Sequence, residues 1–109
     1  MGLQLMRPDK QLARAKRPTE EFRLSWDFVN DVEASDSYAS HTITATVVST
    51  GADVTGTFLQ SPTRIGATGA VLGVQVQAGT DGLDYDVLFR LVTTQGDAFE
   101  RVVRVAVRA

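Results

Sequence analysis

The chain has 109 residues, a net charge of −2 and 43% hydrophobic residues. These values suit one folded domain and exclude both a disordered chain and a membrane-embedded one. No apolar run is long enough to cross a bilayer, and the absence of cysteine excludes disulfides, thiolate chemistry and cysteine–zinc sites.

Charge is distributed unevenly along the chain. Residues 1–18 contain five basic residues and one acid, a net charge of +4, whereas residues 19–109 contain six arginines and twelve acids, a net charge of −6. This asymmetry predicts a basic N-terminal arm, residues 1–19, on an acidic domain, residues 20–109. The alternative is a solvated tail. We expect removal of residues 1–19 to leave the melting temperature of the domain nearly unchanged.

The arm contains apolar residues that are available as anchors, and it has one weak helix candidate, Asp9 to Lys16. That segment has too few apolar positions to form a helix alone. The residues expected to contact a partner are Leu3, Leu5, Met6, Arg7, Lys10, Leu12, Arg14, Lys16 and Arg17.

Alternating apolar and polar residues begin after Glu20 and predict strands with one buried face. The first predicted strand carries Phe22, Leu24, Trp26 and Phe28, and a polar loop follows it over residues 30–40. A second alternation, rich in β-branched residues, starts at His41. Residues 53–60 predict a weaker strand.

The C-terminal half continues the same pattern. Residues 70–78 alternate, Gly79-Thr-Asp-Gly has the composition of a turn, and two alternating segments flank a tight turn at Thr94-Gln-Gly-Asp. About seven strands separated by glycine-rich turns predict an all-β, immunoglobulin-like antiparallel β-sandwich. The expected core consists of Phe22, Leu24, Trp26, Ile43, Val47, Leu72, Val74, Tyr85, Val87, Phe89, Val103 and Val105.

The sequence offers little chemistry for an enzyme. His41 is the only histidine, nothing places a serine nucleophile beside it, and one histidine without cysteine argues against a zinc site. Asp81, Asp84 and Asp86 form an acidic cluster, but the calcium loop with its closing glutamate is missing. We therefore expect no catalytic residues, no cofactor and no metal.

Five cations without interleaved aromatics are a weak nucleic-acid signature, so we expect no nucleic-acid partner and no membrane partner.

Two segments together carry a family resemblance. The first is Leu24-Ser-Trp-Asp-Phe with its Asp/Ser-rich continuation, and the second, from Gly79 onward, is the more specific. The second segment combines Gly79 and Gly82 before Tyr85 and Val87, then Val92-Thr-Thr, Gly96, and Arg101 leading an alternating strand. This pattern resembles small structural proteins of tailed bacteriophages, the fiber-tail adaptor or minor virion proteins with an immunoglobulin-like domain.

The resemblance implies a functional class. It implies a structural protein of the virion tail, assembled in the host cytoplasm, that connects tail proteins or attaches fibers by protein–protein contacts. The implied partners are other virion proteins (a tail adaptor ring, tail or fiber subunits), with multiple copies in a symmetric assembly. The alternatives are a capsid decoration protein and a carbohydrate- or cell-surface-binding sandwich module. The last would require exposed aromatics, whereas the aromatics here mostly take the inward register.

Overall fold

The computed structural model describes residues 12–28, 31–32, 36–65 and 71–109. In these ranges the chain forms strands and one short helical turn. The elements are β1 (Leu12–Lys16), β2 (Phe22–Asp27), β3 (Tyr38–Val47), α1 (Thr55–Phe58), β4 (Leu59–Ile65), β5 (Val71–Val76), β6 (Asp84–Thr93) and β7 (Ala98–Val107).

Two sheets form the described part of the molecule. A four-stranded sheet has the strand order β1-β7-β6-β3, and a three-stranded sheet has the order β2-β5-β4. β1 runs parallel to β7, while the other pairs are antiparallel. Two sheets built from hairpins and crossovers bury one face each against the other. The predicted immunoglobulin-like β-sandwich is confirmed.

Alternation along the strands creates the core. In β6 every second side chain is buried, from Tyr85 to Thr93, because successive side chains in a strand point to opposite faces. Ten of the expected core residues are buried: Leu24, Ile43, Val47, Leu72, Val74, Tyr85, Val87, Phe89, Val103 and Val105. The buried core also includes residues absent from the expected set: Phe28, Ala45, Phe58, Leu59, Val76, Leu91 and Val107.

Phe22 and Trp26 differ from the expectation that they are core residues. Both are only partly buried and pack against the core from its margin. β2 is an edge strand of the three-stranded sheet, so only one of its sides has a neighbouring strand to cover them.

A tyrosine fixes the turn that leads into β6. The Tyr85 hydroxyl accepts a hydrogen bond from the backbone N–H of Thr80 at 2.8 Å, as in the tyrosine corner of immunoglobulin domains. The Tyr85 ring stacks on Phe58 with centroids 4.2 Å apart. Gly79, at φ +99°, passes close to this pair, and an added Cβ would lie 3.0 Å from Phe58 Cε1 and 2.9 Å from Val107 Cγ2. Glycine is required there both by its backbone angle and by this close approach.

Two segments form elements other than those expected. Residues 55–58, expected in a strand, make the helical turn α1, in which the N–H of Phe58 donates to the carbonyl of Val54 at 2.8 Å. Residues 12–16, expected in the arm, form β1, which pairs with β7 from Leu12 opposite Val103 to Lys16 opposite Val107. The helix candidate Asp9 to Lys16 is therefore corrected over residues 12–16, and the sandwich begins well before residue 20.

Candidate protein interaction surface

The outward side of the four-stranded sheet carries a mixed apolar and charged surface at its centre. β6 presents Asp86, Leu88 and Arg90, and β7 presents Arg104, Val102 and Glu100 directly opposite them. These six residues, Asp86, Leu88, Arg90, Glu100, Val102 and Arg104, are called the β6–β7 face below. Their outward direction follows from the buried residues that alternate with them on both strands.

Two cross-strand ion pairs frame this face. Arg104 contacts Asp86 through two hydrogen bonds, Nε to Oδ1 at 2.9 Å and Nη2 to Oδ2 at 3.1 Å, and this pairing raises the pKa of Arg104 above its usual value. Arg90 Nη1 lies 2.6 Å from Glu100 Oε2. Both pairs are partly open to solvent, so each adds little stability. Their main effect is to hold four charges in fixed positions.

Between the ion pairs lies an apolar row. Leu88 stands opposite Val102 on β7 and opposite Thr44 on β3, and all three are partly exposed. A further apolar pair, Val92 and Ala98, lies on the far side of the Arg90–Glu100 pair. Apolar side chains surrounded by polar ones are typical of protein contact surfaces.

The opposite sheet presents a different outer surface. On β2 the outward residues are Arg23, Ser25 and Asp27, all exposed, and on β5 Gln75 stands opposite Arg23. Gln75 donates to Glu21 Oε1 at 3.3 Å. In the described part of that surface no apolar row is framed by cross-strand ion pairs, so the β6–β7 face is the better candidate for a protein contact.

Two sets of polar contacts involve residues between β2 and β3. Arg101 takes an inward position, where its Nη2 lies 2.7 Å from Asp31 Oδ1 and its guanidinium lies 5.9 Å from the centre of the Phe28 ring. Asp36 Oδ1 accepts hydrogen bonds from the Thr94 hydroxyl at 2.9 Å and the Gln95 N–H at 3.2 Å. These contacts join the segment before β3 to the β6–β7 turn.

The residues expected to contact a partner in the arm fall into two groups, those in or next to β1 and those outside the described residues. Leu12, Arg14 and Lys16 lie in β1, and Arg17 is exposed directly after it. The Arg14 guanidinium sits 4.0 Å above the Phe22 ring, so that charge already has an intramolecular contact. Leu3, Leu5, Met6, Arg7 and Lys10 lie outside the described residues.

Lys16 is corrected from a partner contact to an internal one. Its side chain is 1% exposed, and its Nζ donates to the carbonyls of Arg17, Pro18 and Ala78. Burial lowers the pKa of Lys16, an effect that Glu20 and Glu21 partly oppose. A lysine with three internal acceptors is not available to a partner.

The candidate catalytic and metal-binding residues have ordinary structural contacts. His41 Nδ1 and the Tyr38 hydroxyl are 2.7 Å apart. Asp81 accepts from the N–H of Ala109 at 2.9 Å, and Asp84 pairs with Arg108 at 2.8 Å. Within the described ranges there is no group of three or more acidic, histidine or cysteine residues suited to a metal ion. In the same ranges, no helix is both long and apolar enough to span a membrane.

Comparisons with known proteins support the fold and assign the family. The chain is similar to a chain in the crystal structure of the ZIG-8–RIG-5 IG1–IG1 heterodimer, monoclinic form, at 16% identity and a TM-score of 0.51, with 99% of this chain and 90% of that chain covered. It is also similar to a chain of the ZIG-8 IG1 homodimer, at 16% identity and a TM-score of 0.44, with 94% and 84% covered. The first likeness supports the immunoglobulin-like fold and nothing further.

A comparison with curated proteins found no significant match. The family model for the podophage GP4 fiber-tail adaptor protein gp77 matches residues 16–106, a range that runs from the end of β1 to the end of β7. This match confirms the resemblance found in the sequence and supports a structural role in a phage tail, hence a virion component. The chain belongs to the podophage GP4 fiber-tail adaptor protein gp77 family.

Proposed function

We propose that this protein is an adaptor that connects two proteins of a phage tail, attaching fibers to the tail through protein–protein contacts and without catalysis. The observation that carries the proposal is the β6–β7 face, an apolar row framed by two ion pairs on the outer side of the four-stranded sheet. It lies within residues 16–106, the range matched by the adaptor family. The sequence range shared with the family is therefore the sandwich, and the β6–β7 face is the best candidate within it for a protein–protein contact.

The N-terminal residues supply the second contact in this proposal. Lys16 is buried and the Arg14 guanidinium already lies against the Phe22 ring, so the segment before β1, residues 1–11, retains Arg7, Lys10 and Asp9, a net charge of +1. Its apolar residues, Leu3, Leu5 and Met6, then matter more than its charge. A contact made by so short a segment is weak in one copy, and many copies in the tail compensate through avidity.

The test is incorporation into phage particles. Leu88→Glu places a charge in the centre of the β6–β7 face, and we expect at least about a tenfold loss of incorporation, because a charge without a partner at the centre of a contact is strongly unfavourable. Ser25→Glu places the same charge on the opposite outer surface and is the matched control. The amount of protein is measured in purified particles, after thermal melts show that both variants fold.

The proposal has a definite negative outcome. Normal incorporation of Leu88→Glu would show that the β6–β7 face does not hold the protein in the tail. Separation of tails from heads tests the location, since a capsid decoration protein would follow the heads.

A further inference from the structure

The charges of the β6–β7 face are arranged in an alternating pattern. Along β6 the outward order is Asp86, Leu88, Arg90, and along β7 the residues opposite them are Arg104, Val102 and Glu100. Each strand thus carries one negative and one positive charge, and each charge has the opposite sign across the strand gap. The four charges sum to zero, whereas residues 19–109 as a whole carry −6. A neutral alternating surface gains little from a uniformly acidic or basic partner.

We propose that the β6–β7 face binds the same face of a second copy of this chain; the inference rests on the proposed function and names the partner of that surface. The two copies are related by a two-fold axis that lies between the faces and runs along the strands, between β6 and β7. In that arrangement Asp86 of one copy meets Arg104 of the other, and Arg90 meets Glu100. Each contact occurs twice, as a two-fold interface requires.

The apolar residues also match in this arrangement. Leu88 of one copy meets Val102 of the other at the centre, and Val92 meets Ala98, because each lies opposite the other across the hairpin. An axis running across the strands would satisfy the four charges as well, but it would place Val92 against Asp84. The axis along the strands is therefore the favoured one.

The size of the face sets the expected affinity. Even the whole outer side of the four-stranded sheet, with strands about 4.8 Å apart and at most ten residues long, measures no more than roughly 20 Å by 30 Å, or about 600 Å² per copy. This is below the roughly 800 Å² per partner of a standard stable interface. We expect a weak dimer in solution, strengthened in the tail where many copies are held close together.

A charge-swap variant tests the pairing without changing composition. Asp86→Arg, Arg104→Asp, Arg90→Glu and Glu100→Arg together preserve the net charge and both cross-strand pairs, but they reverse every charge on the face. The fourfold variant should dimerise with itself as the natural protein does. In a mixture with the natural protein, like charges meet at all four positions, and mixed dimers should fall at least about tenfold below the statistical proportion. Native mass spectrometry with one isotopically labelled species measures this proportion.

Three further variants test the geometry and supply its control. Exchanging only Asp86 and Arg104 leaves the axis along the strands fully complementary, so self-association should persist; its loss would overturn this arrangement. Leu88→Glu should abolish self-association, while Ser25→Glu on the opposite surface should leave it unchanged. Sedimentation equilibrium measures the self-association of all three.

The outcomes separate this inference from the proposed function. A natural protein that stays monomeric up to about 1 mM, or mixed dimers at the statistical proportion, would overturn the self-contact. If the protein is monomeric and Leu88→Glu still fails to enter particles, the face binds another tail protein and only the self-contact is wrong. If Leu88→Glu enters particles normally, both proposals are wrong.

Discussion

Lys16 shows how a charged side chain can hold a strand in place. It lies at the end of β1 in an inward position, opposite Val107 of β7. Its ammonium group donates to carbonyls of two chain segments. Arg17 and Pro18 belong to its own segment, and Ala78 belongs to the turn after β5. Because these carbonyls satisfy the buried charge, Lys16 joins the end of β1 to the turn that Gly79 and Tyr85 position.

Replacing this lysine tests that role. Lys16→Met keeps the apolar stem but leaves the three carbonyls without this donor, and we expect the free energy of unfolding to fall by about 1–3 kcal/mol. Arg17→Met, one residue further in an exposed position, should change it by less than about 0.5 kcal/mol. Urea denaturation measures both. A Lys16→Met protein as stable as the natural one would mean that the hydrogen bonds only offset the cost of burying the charge.

Asp36 links stability to pH. Partial desolvation raises the pKa of Asp36, but hydrogen bonds to its carboxylate outweigh this effect and lower the pKa below its usual value of 3.8. The donors are Thr93, Ser37, Thr94 and Gln95. A carboxyl group whose folded pKa is depressed contributes stability above its unfolded pKa, and that contribution is lost as the pH falls through the folded pKa.

The expected result is a pH-dependent difference between variants. Asp36→Ala should be less stable than the natural protein at pH 7, and the difference should shrink as the pH falls below about 3.8 and through the lowered pKa of Asp36. Urea midpoints at a series of pH values measure the effect. A difference that stays constant over this range would exclude the carboxylate as its source.

At the scale of elements, β1 changes the boundary between the arm and the domain. Its pairing with β7 over Leu12 to Lys16 and the position of Arg14 over Phe22 make it part of the four-stranded sheet. β7 without β1 would expose a row of backbone groups along a strand edge. Contrary to the expectation from the sequence, removal of residues 1–19 should therefore destabilise the domain.

Two truncations locate the boundary. Removing residues 1–11 should leave the melting temperature within about 2 °C of the natural value, whereas removing residues 1–19 should lower it by at least about 10 °C, since a domain of this size loses about 4–8 °C per kcal/mol. Differential scanning calorimetry compares the two. Equal melting temperatures for both truncated proteins would show that β1 contributes nothing to the sheet.

For the whole molecule, the sequence predicted those strands in which apolar residues take the buried positions and polar residues the exposed ones. Tyr85, Val87 and Phe89 alternate with polar residues, and the structure buries all three. β1 reverses the rule, because it buries the charged Lys16 while the neighbouring Ala15 is exposed, opposite Ala106. No hydropathy pattern predicts such a strand; the tertiary contacts of Lys16 and the pairing with β7 determine it.

The β6–β7 face could not be predicted from the sequence either, because it too depends on tertiary contacts. Leu88 and Val102 belong to different strands, and they become neighbours only when the β6–β7 turn sets the register. Each is a single apolar residue between charged ones, which alone is ordinary on a protein surface. The family, by contrast, was recognisable from the sequence, because the glycines, Tyr85 and the final hairpin lie close together in the chain.

The acidic cluster around β6 supports a final prediction about the whole domain. Asp81, Asp84 and Asp86 were the candidate calcium ligands, and each carboxylate now has a protein partner: the Ala109 N–H, Arg108 and Arg104. A calcium ion would have to displace these partners while gathering six or more oxygens.

We therefore expect calcium and a chelator to give melting temperatures within about 1 °C of each other, because only a ligand that binds the native state raises its stability. The measurement is a thermal melt at a few millimolar calcium, with magnesium as the control for general ionic effects. Calcium has to compete with two arginines that sit within hydrogen-bonding distance of Asp84 and Asp86, so an increase of several degrees specific to calcium would require those ion pairs to open. Arg104→Ala would then strengthen the increase, and the same melts on that variant would show whether it does.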